Sequence, residues 1–182
     1  MNKQQQKLIH YSYDLLATRR YTIREMIKKL DGKNQRNATA CTAVELEEIL
    51  SSLIKSNLLN DKVFAECFID AQTRRKPTGI FKLKQQLKLK GVDQNIISQA
   101  INTANLDETQ LARQLLQKKL QSLRLPKPNF STSKELDNYL DRHLQFEQQI
   151  KLKQKLFRFL QSNGFGASTI FNLLNTEINS EG

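Results

Sequence analysis

Apolar residues recur along this chain at spacings of three and four. Phe64, Phe68 and Ala71 make one stripe, Ile80, Leu83 and Leu87 a second, and Ile97, Ala100, Ile101 and Ala104 a third. Leu111, Leu115 and Leu120 continue the pattern, as do Leu152, Leu156, Phe159 and Leu160. This period lines one face of an α-helix, and no segment alternates well enough to predict a strand. Thr22 with Glu25, Thr42 with Glu45 and Thr132 with Glu135 have capping-box spacing, and Asp61, Asp93 and Asp107 are N-cap candidates. Gly32, Gly91 and Gly164 each stand just past an apolar stripe, where glycine can end a helix in the left-handed conformation. The expected fold is all-α, built from short helices.

The helices repeat. A shift of 73 residues lays Leu156 on Leu83, Leu160 on Leu87, Gly164 on Gly91, Phe165 on Val92, Ile170 on Ile97 and Leu174 on Ile101. A shift of 57 matches Ile23 with Ile80, Met26 with Leu83 and Leu30 with Leu87. Another helix precedes each of these, and the first two end in Arg19-Arg20 and Arg74-Arg75. The chain therefore reads as three tandem three-helix modules: 1–59 with a polar insertion at 32–41, 60–105, and 106–182 with an insertion at 125–147. The second insertion opens on the Pro126/Pro128 break, and Leu136, Leu140 and Leu144 within it have helical spacing. Units this small have marginal cores alone, so the expected form is an elongated, curved array of stacked modules.

Composition narrows the partners more than the fold. Among 182 residues, 29 Lys and Arg oppose 18 Asp and Glu, a net charge of +11 that points to a polyanion or an acidic protein surface. The positive residues stand in acid-free intervals. Between Asp70 and Asp93 lie Arg74, Arg75, Lys76, Lys82, Lys84, Lys88 and Lys90. Between Glu108 and Glu135 lie Arg113, Lys118, Lys119, Arg124, Lys127 and Lys134, and between Glu147 and Glu177 lie Lys151, Lys153, Lys155 and Arg158. Ordinary helix surfaces intersperse acids for i,i+4 pairing, so three one-signed intervals suggest a binding face rather than only a solvated one.

Chemistry of other kinds finds little support. His10 and His143 sit in no ligand motif and read as structural or surface residues. Cys41, in a polar insertion, and Cys67, beside Phe64 and Phe68, lack CxxC spacing and read as reduced cytosolic thiols. No phosphate-cradling glycine loop occurs. Glu45, Glu47 and Glu48 cluster at a helix start, where they favour the helix dipole. Tyr11, Tyr13 and Tyr21 could stack bases but more often fill a core at such spacing. The MNKQQQK start lacks the apolar segment of a signal peptide, and no stretch is long and apolar enough to span a membrane. No catalytic residue, metal or cofactor is expected, and the setting is expected to be the cytoplasm.

The segment 58–101 resembles the central module of the RecX family. The resemblance is carried by Leu58, Leu59, Asp61, Phe64, Ala65, Arg74, Gly79, Leu83, Leu87, Lys90, Gly91, Val92 and Ile97. Thr22, Glu25, Met26 and Leu30 resemble the family's first module, and LFRFLQSNGFGASTIFNLL the end of its third. Two positions depart from the pattern: Ile80 stands where a Pro is usual, and Gln86 where a Glu is expected. The resemblance implies a regulatory protein, not an enzyme, that binds the RecA–single-stranded-DNA filament and inhibits it in DNA repair, recombination and the SOS response. It implies as partners the RecA filament and single- and double-stranded DNA, with the chain acting as a monomer.

The candidate filament- or DNA-binding face is Arg74, Arg75, Lys76, Lys82, Lys84, Lys88, Lys90, Arg113, Lys118, Lys119, Lys151, Lys153, Lys155 and Arg158. On the helix beginning at Ile80, Lys84 and Lys88 flank the apolar stripe and Lys82 points nearly opposite it. Phe81 and Leu89 fall outside the stripe and are expected to pack against a neighbouring module, with an apolar partner contact as the alternative. The competing functional reading is a general DNA- or RNA-binding helical protein without RecA specificity.

Overall fold

The computed structural model describes residues 3–36, 41–123 and 130–174. The Pro126/Pro128 break, Arg124, Lys127, positions 37–40 of the first insertion and the chain beyond Leu174 lie outside these. The described residues form ten α-helices and no strand. In order they are α1 (Lys3–Thr18), α2 (Ile23–Asn34), α3 (Ala43–Lys55), α4 (Asp61–Arg75) and α5 (Ile80–Leu89). There follow α6 (Gln94–Ala104), α7 (Glu108–Ser122), α8 (Ser133–His143), α9 (Phe146–Ser162) and α10 (Ala167–Leu174). They cluster in two compact units, Met1–Phe68 with Gln86–Ala104, and Ile69–Gln85 with Asn105–Gly182, so α4 and α5 contribute to both.

In the first unit α1 packs on α2 and α3 around Leu8, Tyr21, Met26, Leu30, Cys41, Ile49, Leu53 and Leu59. Thr42 and Glu45 complete a full capping box at α3. Gly32 does not end α2, which runs on to Asn34. The reason is the buried Asn34 amide, whose Nδ2 donates to the Cys41 carbonyl (2.8 Å) while its Oδ1 accepts from the Cys41 amide (2.7 Å). That clamp also draws Cys41, expected in a polar loop, into the core. Asp61 is the first residue of α4 and not its cap. Asn60 caps α4 instead, its Oδ1 accepting from the amides of Lys62 and Val63.

In the second unit α10 packs on α7, α8 and α9, enclosing Leu116, Leu120, Phe130, Leu136, Leu140, Leu156, Leu160 and Ile170. Of the apolar residues with helical spacing in the second insertion, Leu136 and Leu140 are fully buried on a separate helix, α8, while Leu144 is extended backbone just past its end. Asp107 caps α7 by accepting from the Gln110 amide.

The two glycine turns that the 73-residue shift aligns close with the same hydrogen bonds. After α5, the Gly91 amide donates to the Lys88 carbonyl and the Val92 amide to that of Leu87; after α9, the Gly164 amide donates to Gln161 and the Phe165 amide to Leu160. Both glycines have φ of +84°, the left-handed geometry of a Schellman turn, and Val92 and Phe165 are buried beside them.

Each turn receives the N-terminus of a preceding helix. In the first unit α2 meets the turn after α5: the Thr22 hydroxyl donates to the Lys90 carbonyl (2.8 Å), and the Ile23 amide donates to the Asp61 carboxylate (2.9 Å). In the second unit α5 meets the turn after α9: the Gly79 amide donates to the Asn163 carbonyl (2.9 Å), the Phe81 amide to the Gly164 carbonyl (3.1 Å), and the Ile80 amide to the Glu108 carboxylate (3.1 Å). Asp61 and Glu108 are the first residues of α4 and α7, so an acid at a helix start satisfies an otherwise unpaired amide on another helix.

Candidate partner-binding surface

The second junction aims the N-terminal turn of α5. Leu83 and Leu87 are fully buried and Ile80 is half-buried, which leaves the opposite side of the helix outward. Lys88 is exposed there and Lys84 half-exposed. Phe81 and Leu89, expected to pack against a neighbouring module, do not: they are 70% and 77% exposed. At 100° per residue they lie on the arc away from Leu83 and Leu87, where none of the described helices covers them. Lys82 is not directed freely outward either, because its Nζ donates to the Ser162 carbonyl (3.2 Å) and its backbone lies against Gly164.

The structure divides the other candidate cations into engaged and free-standing groups. Lys90 is paired with Glu25 (2.8 Å) and lies over the rings of Phe64 and Phe68. Lys153 pairs with Asp137 (2.6 Å), Arg74 with Asp70 one turn earlier (2.7 Å), and Lys119 covers the Phe159 ring. Arg113 is half-buried, and its Nε meets no hydrogen-bond partner among the described residues. Arg75 and Lys76 at the end of α4, Lys118 on α7, and Lys151, Lys155 and Arg158 on α9 are exposed. Spaced by four and three residues, Lys151, Lys155 and Arg158 share one side of α9. Arg158 also borders an open groove of about 530 Å³ with Ile150, Phe157 and Leu174.

A further groove, of about 650 Å³, lies in the first unit, where Lys3, Lys7, His10 and Asp14 of α1 meet Lys33 of α2 beside Tyr11, with lysines outnumbering the one acid. The acid-free-interval criterion misses it, since Asp14 and Asp31 punctuate those helices. Only the Lys3–Lys7 spacing could have hinted at it. Of the tyrosines, Tyr21 is buried under the Arg19 guanidinium, Tyr11 lies beneath Lys33, and Tyr13 is about half exposed.

Glu25 is the electrostatic centre of the first junction. Burial pushes its carboxyl pKa up, but hydrogen bonds from Lys90 and from Arg19 (3.0 Å), reinforced by their charges, outweigh this and hold it below the usual value. Asp61 shifts the other way. Burial raises its pKa, the Ile23 amide opposes that, and nearby Glu25 adds to the rise. Cys41 is also pushed up, by burial and then by Glu45. Among the described residues no group of three His, Cys, Asp or Glu side chains could hold a metal ion, and no helix is long and apolar enough to cross a membrane.

Residues 60–101 match the family model described as RecX, second three-helix domain. The chain is 31% identical over 162 residues to the regulatory protein RecX of Chlorobaculum tepidum, spanning 89% of this chain and 82% of that one. The chain belongs to the RecX family. It is also 26% identical over 166 residues to the regulatory protein RecX of a Haemophilus influenzae strain, spanning 91% of each chain. The fold matches the crystal structure of RecX from Lactobacillus salivarius with a TM-score of 0.71 at 20% identity, over 93% of this chain and 94% of that one. The RecX relatives named here are regulatory proteins, and the all-helical architecture is shared with a solved RecX structure.

Proposed function

We propose that this RecX-family chain binds the filament that RecA recombinase forms on single-stranded DNA and inhibits its ATPase, recombinase and co-protease activities, in recombinational DNA repair and the SOS response. It acts in the cytoplasm, as a monomer and without catalysing a reaction of its own. The observation that carries this reading is family membership over nearly the whole chain. The exposed cations of α4, α5, α7 and α9 support it, because they suit DNA phosphates and acidic protein surface. Tandem modules, 1–59, 60–105 and 106–182, would each add contact at high effective concentration once the first is seated.

The test is a titration of RecA ATPase on single-stranded DNA. The expected result is inhibition at amounts well below those that coat the DNA, persisting when excess competitor DNA is added. Inhibition that appears only when the DNA is saturated, and vanishes with competitor, would instead establish a general nucleic-acid binder.

A further inference from the structure

The outward side of α5 sets strongly exposed apolar side chains among exposed cations on one short helix. Measured from Phe81 at 100° per residue, Lys84 lies at about −60°, Lys88 at about −20°, Gln85 at about 40° and Leu89 at about 80°. Leu83 and Leu87, the buried residues, fall at about 200° and 240°, on the far side of the helix. The outer arc therefore holds two large apolar side chains, two lysines and a glutamine, and the sequence between Asp70 and Asp93 contributes no acid to it. Phe81 and Leu89 are the most exposed apolar side chains on α5, about 12 Å apart along its axis.

Isolated exposed apolar residues are ordinary; two on one short helix, bracketed by like charges, are the composition of a protein-contact patch. Phosphates alone would be served by the lysines. A base could stack on Phe81, but Leu89 has no π-face to add to such a stack. A protein surface with an apolar socket rimmed by carboxylates answers both features. The socket removes the two side chains from water, and the rim pairs with Lys84 and Lys88, which steer the approach.

We infer that the Phe81–Lys84–Lys88–Leu89 side of α5 docks on an acid-rimmed apolar socket of a protein partner, which in the function proposed above is the recombinase protomer rather than its DNA. This inference rests on that reading. The experiment compares wild type, F81A/L89A and K84E/K88E in two assays: anisotropy of a fluorescent single-stranded oligonucleotide, and inhibition of RecA ATPase on single-stranded DNA. All four positions are exposed or half-exposed, and unchanged circular dichroism and melting temperature verify that the variants fold. F81A/L89A is expected to bind the oligonucleotide within about twofold of wild type while needing at least tenfold more protein for half-inhibition. K84E/K88E is expected to lose inhibition as well, with a shallower salt dependence.

Full inhibition by a folded F81A/L89A would overturn the assignment and leave the functional proposal standing. A parallel loss of oligonucleotide binding by F81A/L89A would overturn it too, by placing this side on nucleic acid. A wild-type chain that does not inhibit at all overturns the functional proposal, and this assignment with it.

Discussion

The two helix-to-turn junctions use one plan and different chemistry. In both, the amide of an isoleucine at a helix start, Ile23 or Ile80, donates to an acid that opens another helix, Asp61 or Glu108. In both, the same helix end rests on a left-handed glycine turn, at Gly91 or Gly164. The first junction is then held by side chains: the Thr22 hydroxyl, and Glu25 drawing in Lys90 and Arg19. The second is held by backbone. Gly79 stands where Thr22 did, Lys82 where Glu25 did, and Asn163 where Lys90 did, so the ion pair is gone and two main-chain segments touch directly. The two junctions thus share the connection while the second trades charge for close packing, and the two should fail under different insults.

Substitutions separate the copies, beginning with the largest effect. A Cβ at Gly79 would overlap the Gly164 carbonyl group and the Phe165 amide, none of which can swing aside. Gly79→Ala is expected to cost about 3 kcal/mol or more, read from urea unfolding. At Gly91 the atoms a Cβ would meet most closely all belong to one side chain, that of Arg24, whose Cγ and Cδ can swing aside although its Cβ cannot, and the left-handed backbone becomes strained. Gly91→Ala should therefore cost less, about 1–2 kcal/mol. Equal costs at the two glycines would break the distinction between them.

Charge changes sharpen it further. Glu25→Gln removes the anion shared by Lys90 and Arg19 and is expected to cost about 1 kcal/mol near neutral pH, less at high salt. Glu25 is more acidic folded than unfolded. Its stabilisation is therefore complete above the ordinary carboxylate pKa of 4.5 and is lost as pH falls through the lowered folded value. Asp61 has the opposite sign: its raised pKa makes the ionised form a cost, which protonation relieves as pH falls through that value. Stability followed from pH 7 towards pH 3 should then decline less in Glu25→Gln than in wild type, and more in Asp61→Asn. At pH 7, Asp61→Asn keeps an oxygen for the Ile23 amide and should shift stability by only about 0.5 kcal/mol, towards stabilisation. An Asp61→Asn curve flatter than wild type would reverse the assigned signs.

Sequence pattern carried the helices and the glycine turns, because period and backbone conformation are local. The 73-residue shift that matched Gly164 to Gly91 also matched their hydrogen bonds. What it could not show were partners far along the chain. Asp61 has every local mark of an N-cap, and only the approach of α2 reveals that its carboxylate serves Ile23 while Asn60 takes the cap. Gly32 looked like a stop because the Asn34–Cys41 clamp that extends α2 depends on a side chain meeting backbone seven residues on. The candidate surface was legible as charge, but not as availability. Lys82, Lys90 and Lys153 belong to the same one-signed intervals as Lys88 and Lys155, yet internal contacts hold them. The exposure of Phe81 and Leu89 was equally hidden, since an apolar residue off the stripe reads the same whether or not a neighbour covers it.

The claim beneath the comparison is that the two junctions are one device used twice. Hydrogen exchange at the Ile23 and Ile80 amides tests it most directly, because a first-turn helix amide is protected only when something outside the helix accepts its hydrogen bond. Both amides should be protected in wild type, with Asp61→Ala exposing Ile23 alone and Glu108→Ala exposing Ile80 alone. Free exchange at either amide in the wild-type chain, or loss of both from a single substitution without global unfolding, would contradict it.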